Sequence, residues 1–173
     1  NTVEFIYKHS KGVSNQELLM SSGSATASLW DLRLLSSTDT LSSSFEFRLN
    51  TSTTGSLDIP RHAVSMSTDY TVMDEGSLWN VMLQRVSSSI SGSGTNEYTI
   101  PILNAVSMSI SGGLTVDANH NANKNWPSTG SRHFKSGSNL HIGRTISGSI
   151  AEFRAWSTAL SSSKFKQHVL NKF

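Results

Sequence analysis

The stretch Phe45-Glu46-Phe47-Arg48-Leu49-Asn50 alternates apolar and polar residues without a break. Successive side chains of an extended strand point to opposite faces. Phe45, Phe47 and Leu49 therefore supply one wall of a core while Glu46, Arg48 and Asn50 face water. The same period recurs outward along the chain. Toward the N-terminus, Trp30, Leu32 and Leu34 alternate with Asp31 and Arg33, and Val3, Phe5 and Tyr7 with Glu4, Ile6 and Lys8. Toward the C-terminus, Trp79, Val81 and Leu83 interleave with Asn80, Met82 and Gln84. Tyr98, Ile100 and Ile102 follow, then Val106, Met108 and Ile110, then Leu140 and Ile142. Between the runs lie breakers: Ser21-Ser22-Gly23, Thr53-Thr54-Gly55, Ser91-Gly92-Ser93-Gly94, Ser111-Gly112-Gly113 and Ser136-Gly137-Ser138. Short strands separated by Gly/Ser turns predict an all-β fold, an antiparallel sandwich of two sheets.

One helix is expected, at the C-terminus. Ser161 is placed as its N-cap, and Leu160 before it as a staple against Phe165. Phe165, Val169 and Leu170 form an apolar stripe, and Lys164, Lys166 and Gln167 stay wet. Lys172 falls in the last turn, where a cation suits the helix dipole.

The chain has 173 residues, room for a single domain over 1–173. Ser (34) and Thr (15) exceed a quarter of the residues, and charged residues are only 15%, against roughly 25% in average soluble proteins. No apolar run approaches the ~18 residues of a membrane span, so insertion into a membrane is not expected. The net charge is +2 and the basic residues are scattered, which gives no footing for nucleic-acid binding. There is no cysteine, which excludes disulfides, thiolate metal sites and cysteine nucleophiles. The opening Asn1-Thr2-Val3-Glu4-Phe5 reads as a strand with neither an initiator Met nor a signal-peptide pattern. A removed leader or a piece of a longer polypeptide would each explain this, and the piece is the favoured expectation. The least patterned stretch runs from Asp117 to Phe134 and is expected to be a long loop, functional or mobile rather than incidental.

Three segments together resemble the laminin-G-like branch of the concanavalin A-like lectin/glucanase superfamily. Thr2-Val3-Glu4-Phe5-Ile6-Tyr7-Lys8 is similar to its opening strand. Leu78-Trp79-Asn80-Val81-Met82-Leu83-Gln84-Arg85, with Asn96-Glu97-Tyr98-Thr99-Ile100, is similar to its tryptophan-led central strand and that strand's neighbour. Leu140-His141-Ile142-Gly143, Gly148-Ser149-Ile150-Ala151-Glu152-Phe153-Arg154-Ala155-Trp156 and Thr158-Ala159-Leu160-Ser161 resemble its closing strands and the exit into a short helix. The resemblance implies a jelly-roll sandwich used mostly to bind glycans or proteins. Such domains recur in extracellular modular proteins and in phage or viral surface proteins, and the Ser/Thr-rich, Cys-free composition is similar to that of virion fibre and appendage domains.

Because the superfamily includes glycanases, the acids come first. Glycoside hydrolysis needs two carboxylates on one cleft, and in the family's glucanases they stand two to four residues apart on one strand. Here there are twelve acids; Asp74 and Glu75 are adjacent and diverge, and Glu152 has Ser149 and Ala151 where a partner acid would stand. No Gly-x-Ser-x-Gly nucleophile elbow opens a helix. A catalytic role is not expected. No cofactor is expected either, although Ca²⁺ is left open at Asp69, Asp74 and Asp117, residues that solvated turns explain equally well. His120, His133 and His141 fit no zinc spacing.

Glycan binding needs an aromatic platform beside planar polar groups. Trp126 with Asn119, His120, Asn121, Asn123, Lys124 and Asn125 supplies those types in one stretch. The other account is that Trp126-Pro127 anchors a loop whose Asn residues tolerate turn backbone. Trp30, Trp79 and Trp156 lie in strand patterns and are expected in the core. Abundant Ser and Thr on outer strand faces suit close packing against neighbouring subunits or domains. Asn50-Thr51-Ser52 is a glycosylation sequon, meaningful only in a secreted eukaryotic chain. The expectation is a non-catalytic recognition or assembly module on a virion or in an extracellular protein, with glycan or neighbouring protein subunits as partners. A purely structural packing domain and a glycan hydrolase of the same fold are the alternatives.

Overall fold

The computed structural model describes residues 2–11, 15–22, 28–37, 41–49, 64–89, 97–109, 115–123, 126–127 and 139–171. These form two antiparallel sheets and one short helix, an all-β sandwich as the alternation predicts. In sheet A, β1 (Thr2–Lys8) lies between β7 (Leu78–Ser89) and β12 (Ser149–Trp156). β8 (Glu97–Ser109) follows β7 and carries β9 (Thr115–Asn123) and β10 (Trp126–Pro127) on its far side. Sheet B runs β11 (Asn139–Ile142), β2 (Gln16–Ser22), β3 (Ser28–Ser36), β4 (Ser42–Leu49) and β5 (Val64–Ser67), and β6 (Thr71–Val72) also pairs with β4.

The alternating residues meet where the two sheets face each other. Phe5, Tyr7, Trp79, Val81, Leu83, Leu103 and Ala105 of sheet A pack on Leu18, Leu19, Trp30, Leu32, Leu34, Phe45, Phe47 and Met66 of sheet B. Phe45 joins the layers: its ring stands edge-on to Tyr7 at 6.3 Å and tilted against Trp79 at 5.7 Å. The Phe45–Phe47 pattern that announces the fold thus sits at its centre.

β2 escapes a strict reading of alternation for a physical reason. A register shift between Glu17 and Leu19 lets Leu18 and Leu19 both be buried, and a bulge of this kind breaks the period of two. Val106 and Met108, a separate run in the sequence, belong to the same thirteen-residue β8 as Ile102.

A second, smaller core lies on the outer side of sheet A. Ile6, Met82 and Val106 pack there against Phe165 and Val169 of α1 (Ser162–Leu170), with Leu78 and Leu160 beside them. The Ser161 side chain accepts a hydrogen bond from the Lys164 N–H at 3.2 Å, the expected N-cap. Leu160 joins the Phe165 cluster as the staple requires. Trp30 and Trp79 are core residues, but Trp156 is not. It is half-buried in the row of Thr2 and stacks on His168 of α1, with ring centroids 5.2 Å apart. Strand parity explains the difference, because the shift that precedes Arg154 turns Trp156 to the helix side of the sheet. Lys172 and Asn50 lie outside the described residues.

One glycine is dictated by contact. A Cβ on Gly148 would stand 2.1 Å from the Lys8 carbonyl oxygen, so the turn into β12 passes β1 only without a side chain.

Candidate functional site

The stretch expected to be a loop is a strand in its first part. β9 runs antiparallel to β8, pairing Asn123 with Ile102, Asn121 with Asn104, His120 with Ala105 and Asn119 with Val106. β10 resumes the same flank, pairing Trp126 with Thr99. Ladder hydrogen bonds come from the backbone, so a polar segment can line a sheet edge with no apolar pattern to reveal it. Asn119, Asn121 and Asn123 thus occupy alternate positions on the edge of sheet A among the described strands, with Trp126 farther along it. Asn125 and Lys124 lie outside the described residues.

The candidate cation ligands are dispersed. Asp69 and Asp74 are both exposed, one on each side of β6, and Asp117 sits in β9 at a register shift. His120 belongs to sheet A and His141 to β11 of sheet B, while His133 lies outside the described residues. Among the described residues, no three His, Asp or Glu side chains gather to hold a metal.

Four acids of the sheets are tied to neighbours. Glu4 is fully buried under α1; one carboxylate oxygen accepts from Asn80 at 3.1 Å and the other meets His168 Nδ1 at 2.9 Å. Asp31 is fully buried on the outer side of sheet B. Its Oδ1 accepts from Arg33 Nε at 2.9 Å and Arg48 Nε at 2.8 Å, and its Oδ2 from Arg48 Nη2 at 2.9 Å. Such a two-pronged guanidinium–carboxylate fit fixes geometry as well as charge. Glu17 lies 3.6 Å from Arg144. Glu152 accepts from Arg154 at 3.0 Å and sits at φ 49 in a bulge, where Glu152 and Phe153 together face Phe5.

At one end of the sandwich a buried polar cluster joins both sheets. The Tyr7 hydroxyl donates to Gln16 Oε1 at 3.0 Å, and that oxygen also accepts from the Ser147 N–H at 3.1 Å. With its single proton so committed, the Tyr7 oxygen accepts from His9 Nδ1 at 3.3 Å. Burial pushes the Tyr7 hydroxyl up to about 12, so it stays protonated. Burial likewise pushes the His9 imidazole below its ordinary value, and the Glu75 charge only partly opposes this. Glu75 accepts from the Lys11 N–H and is held below the usual carboxylate range first by that bond and then by the Ser10 hydroxyl. The His9 backbone pins the turn before β7, bonding to Ser77 and Gly76 at 2.8 Å each. Two groups that keep their neutral forms make a structural joint.

An exposed ridge on the β4–β6 flank stands outside the patterns that mark the core. Leu41 is 57% exposed, Tyr70 54% and Val72 65%. Val72 pairs with Ser42, and the Met73 N–H donates to the Leu41 carbonyl. Exposed Asp69 and Asp74 flank the ridge. The signal was present in Tyr70-Thr71-Val72, but alternation reads the same whether its apolar side faces in or out. Comparison with protein-family models, curated proteins and solved structures finds no match to this chain.

Proposed function

We propose that this chain is a non-catalytic recognition and assembly module of laminin-G/concanavalin A-like type, with jelly-roll connections. On this reading it belongs to a larger virion protein (fibre, appendage or capsid decoration) or an extracellular one, and it binds glycan. The resemblance gains support from part of its segments: β8, β7, β1 and β12 stand side by side in sheet A and the helix it expects packs on that sheet, whereas the matched β11 lies in sheet B.

The observation that carries the reading is the amide-rich edge of sheet A. Asn119, Asn121 and Asn123 recur at alternate positions on β9, opposite Val106, Asn104 and Ile102, and Trp126 follows on β10 opposite Thr99, in a row of the other parity on the same edge. Amides are suited to hydroxyl recognition and an indole to stacking on the apolar face of a sugar. The non-catalytic part is supported by the acids, since Glu4, Asp31 and Glu152 are each bonded to a neighbour within the fold. Hydrolysis asks instead for two carboxyl groups open to one cleft.

The test is glycan retention by the wild type and by Trp126→Ala. Retention by the wild type, lost in the variant with a nearly unchanged melting temperature, supports the reading. No signal on a broad glycan array, or retention that survives the substitution, overturns the glycan assignment. Glycan turnover that disappears in Glu152→Gln overturns the non-catalytic one.

A further inference from the structure

We propose that the ridge on the β4–β6 flank of one molecule takes up the exposed side of α1 of a second copy. The ridge offers Leu41, Tyr70 and Val72, each more than half exposed, between the exposed carboxylates of Asp69 and Asp74. α1 offers the complement. Its sequence, Ser-Ser-Lys-Phe-Lys-Gln-His-Val-Leu, contains no acid; Lys164 and Lys166 are exposed and Leu170 is 51% exposed. Lys166 and Leu170 are one helical turn apart and lie away from Phe165 and Val169, the pair that anchors the helix to sheet A. An apolar anchor beside a cation on one surface meets apolar side chains beside anions on the other. Opposite potentials of this kind select a partner and fix its register.

The two surfaces are fastened to different sheets of the molecule. The ridge belongs to a flank of sheet B, and α1 is fastened to the outer side of sheet A by Phe165, Val169 and the Glu4–His168 contact. The contact is therefore head to tail between copies, which yields a ring if the rotation closes and a filament if it does not. Two helical turns against a short ridge form a small interface, below the size class of tight complexes. Association is accordingly weak and sensitive to salt, and becomes appreciable where copies are concentrated or held together. The ridge residues belong to sheet B and Trp126 to sheet A, so glycan retention and self-association are tested by different substitutions.

The experiment is sedimentation velocity of the full chain across a concentration series, at low and at high salt. Three samples are compared: the wild type, a ridge reversal (Asp69→Lys with Asp74→Lys) and a helix reversal (Lys164→Glu with Lys166→Glu). All positions are exposed, and equal melting temperatures establish that each variant is folded. The wild type is expected to associate in low salt and to weaken about tenfold or more in high salt. Each reversal alone is expected to be monomeric, and an equimolar mixture of the two to associate again, because each ridge then meets a helix of opposite charge. A wild type that stays monomeric at millimolar concentration overturns the proposal. So does association that both reversals leave intact, or a mixture that fails to restore it. Association only with an added basic amphipathic peptide, and not with a second copy, overturns the choice of occupant.

Discussion

Glu152 carries a backbone conformation that its side chain does not favour. At φ 49 it lies in the left-handed region, which costs a non-glycine residue roughly 1–2 kcal/mol. Its ion pair with Arg154 is partly exposed and returns little of that. Glu152→Gly is therefore expected to raise stability by up to about 1 kcal/mol in urea unfolding; a clear loss would show that the Arg154 contact outweighs the strain. The bulge also twists β12, an outer strand of sheet A among the described residues, away from foreign pairing. His9 contributes to the acid response. Its folded-state affinity for a proton lies below the ordinary 6.5, so the unfolded chain binds the proton more readily. Stability from this group is full above about pH 6.5 and falls as the pH drops through the folded value. Glu75, also lowered, adds its loss at lower pH, below its ordinary 4.5. A urea midpoint that declines in the first of these windows for the wild type, and stays flat there in a folded His9→Gln variant, is the expected result.

At the scale of elements, α1 shows how a nine-residue helix holds when its length alone would leave it marginal. The Ser161 cap holds its start, and the Phe165 and Val169 anchors and the Glu4–His168 contact fasten it along its length. Ser161→Ala is expected to cost about 1 kcal/mol and to speed amide exchange at Lys164, the N–H the cap receives. Exchange unchanged at Lys164 would mean that the cap contributes nothing. These features were legible because capping and helical spacing are local. The strand at 115–123 was not legible, because an edge needs only backbone partners, and its partners sit in β8 rather than in its own sequence. β2 was hidden by the bulge at Leu18 and Leu19, and the misplacement of Trp156 follows from a second bulge three residues before it. Alternation reveals strands and fails at the points where a strand gains a residue.

For the whole molecule, the same limit explains why the sandwich could be read and its working surfaces only in part. Phe45, Trp79 and Tyr7 announce a buried interior by type alone, whereas Tyr70 and Val72 look like the same kind of residue and face water. The placement of β1 between β7 and β12 has a consequence for how the molecule is reached from an unfolded chain. The first strand finds its neighbours only after residues 78–89 and 149–156 have been made, so most of the chain must exist before sheet A is complete. Contacts so distant in sequence slow folding, toward milliseconds to seconds or longer. A chain ended after residue 148 is expected to show no cooperative unfolding transition, and a sharp one would mean that β12 and α1 are dispensable. During synthesis the apolar side of β1 waits uncovered for its partners, and that interval is when this chain is most exposed to aggregation.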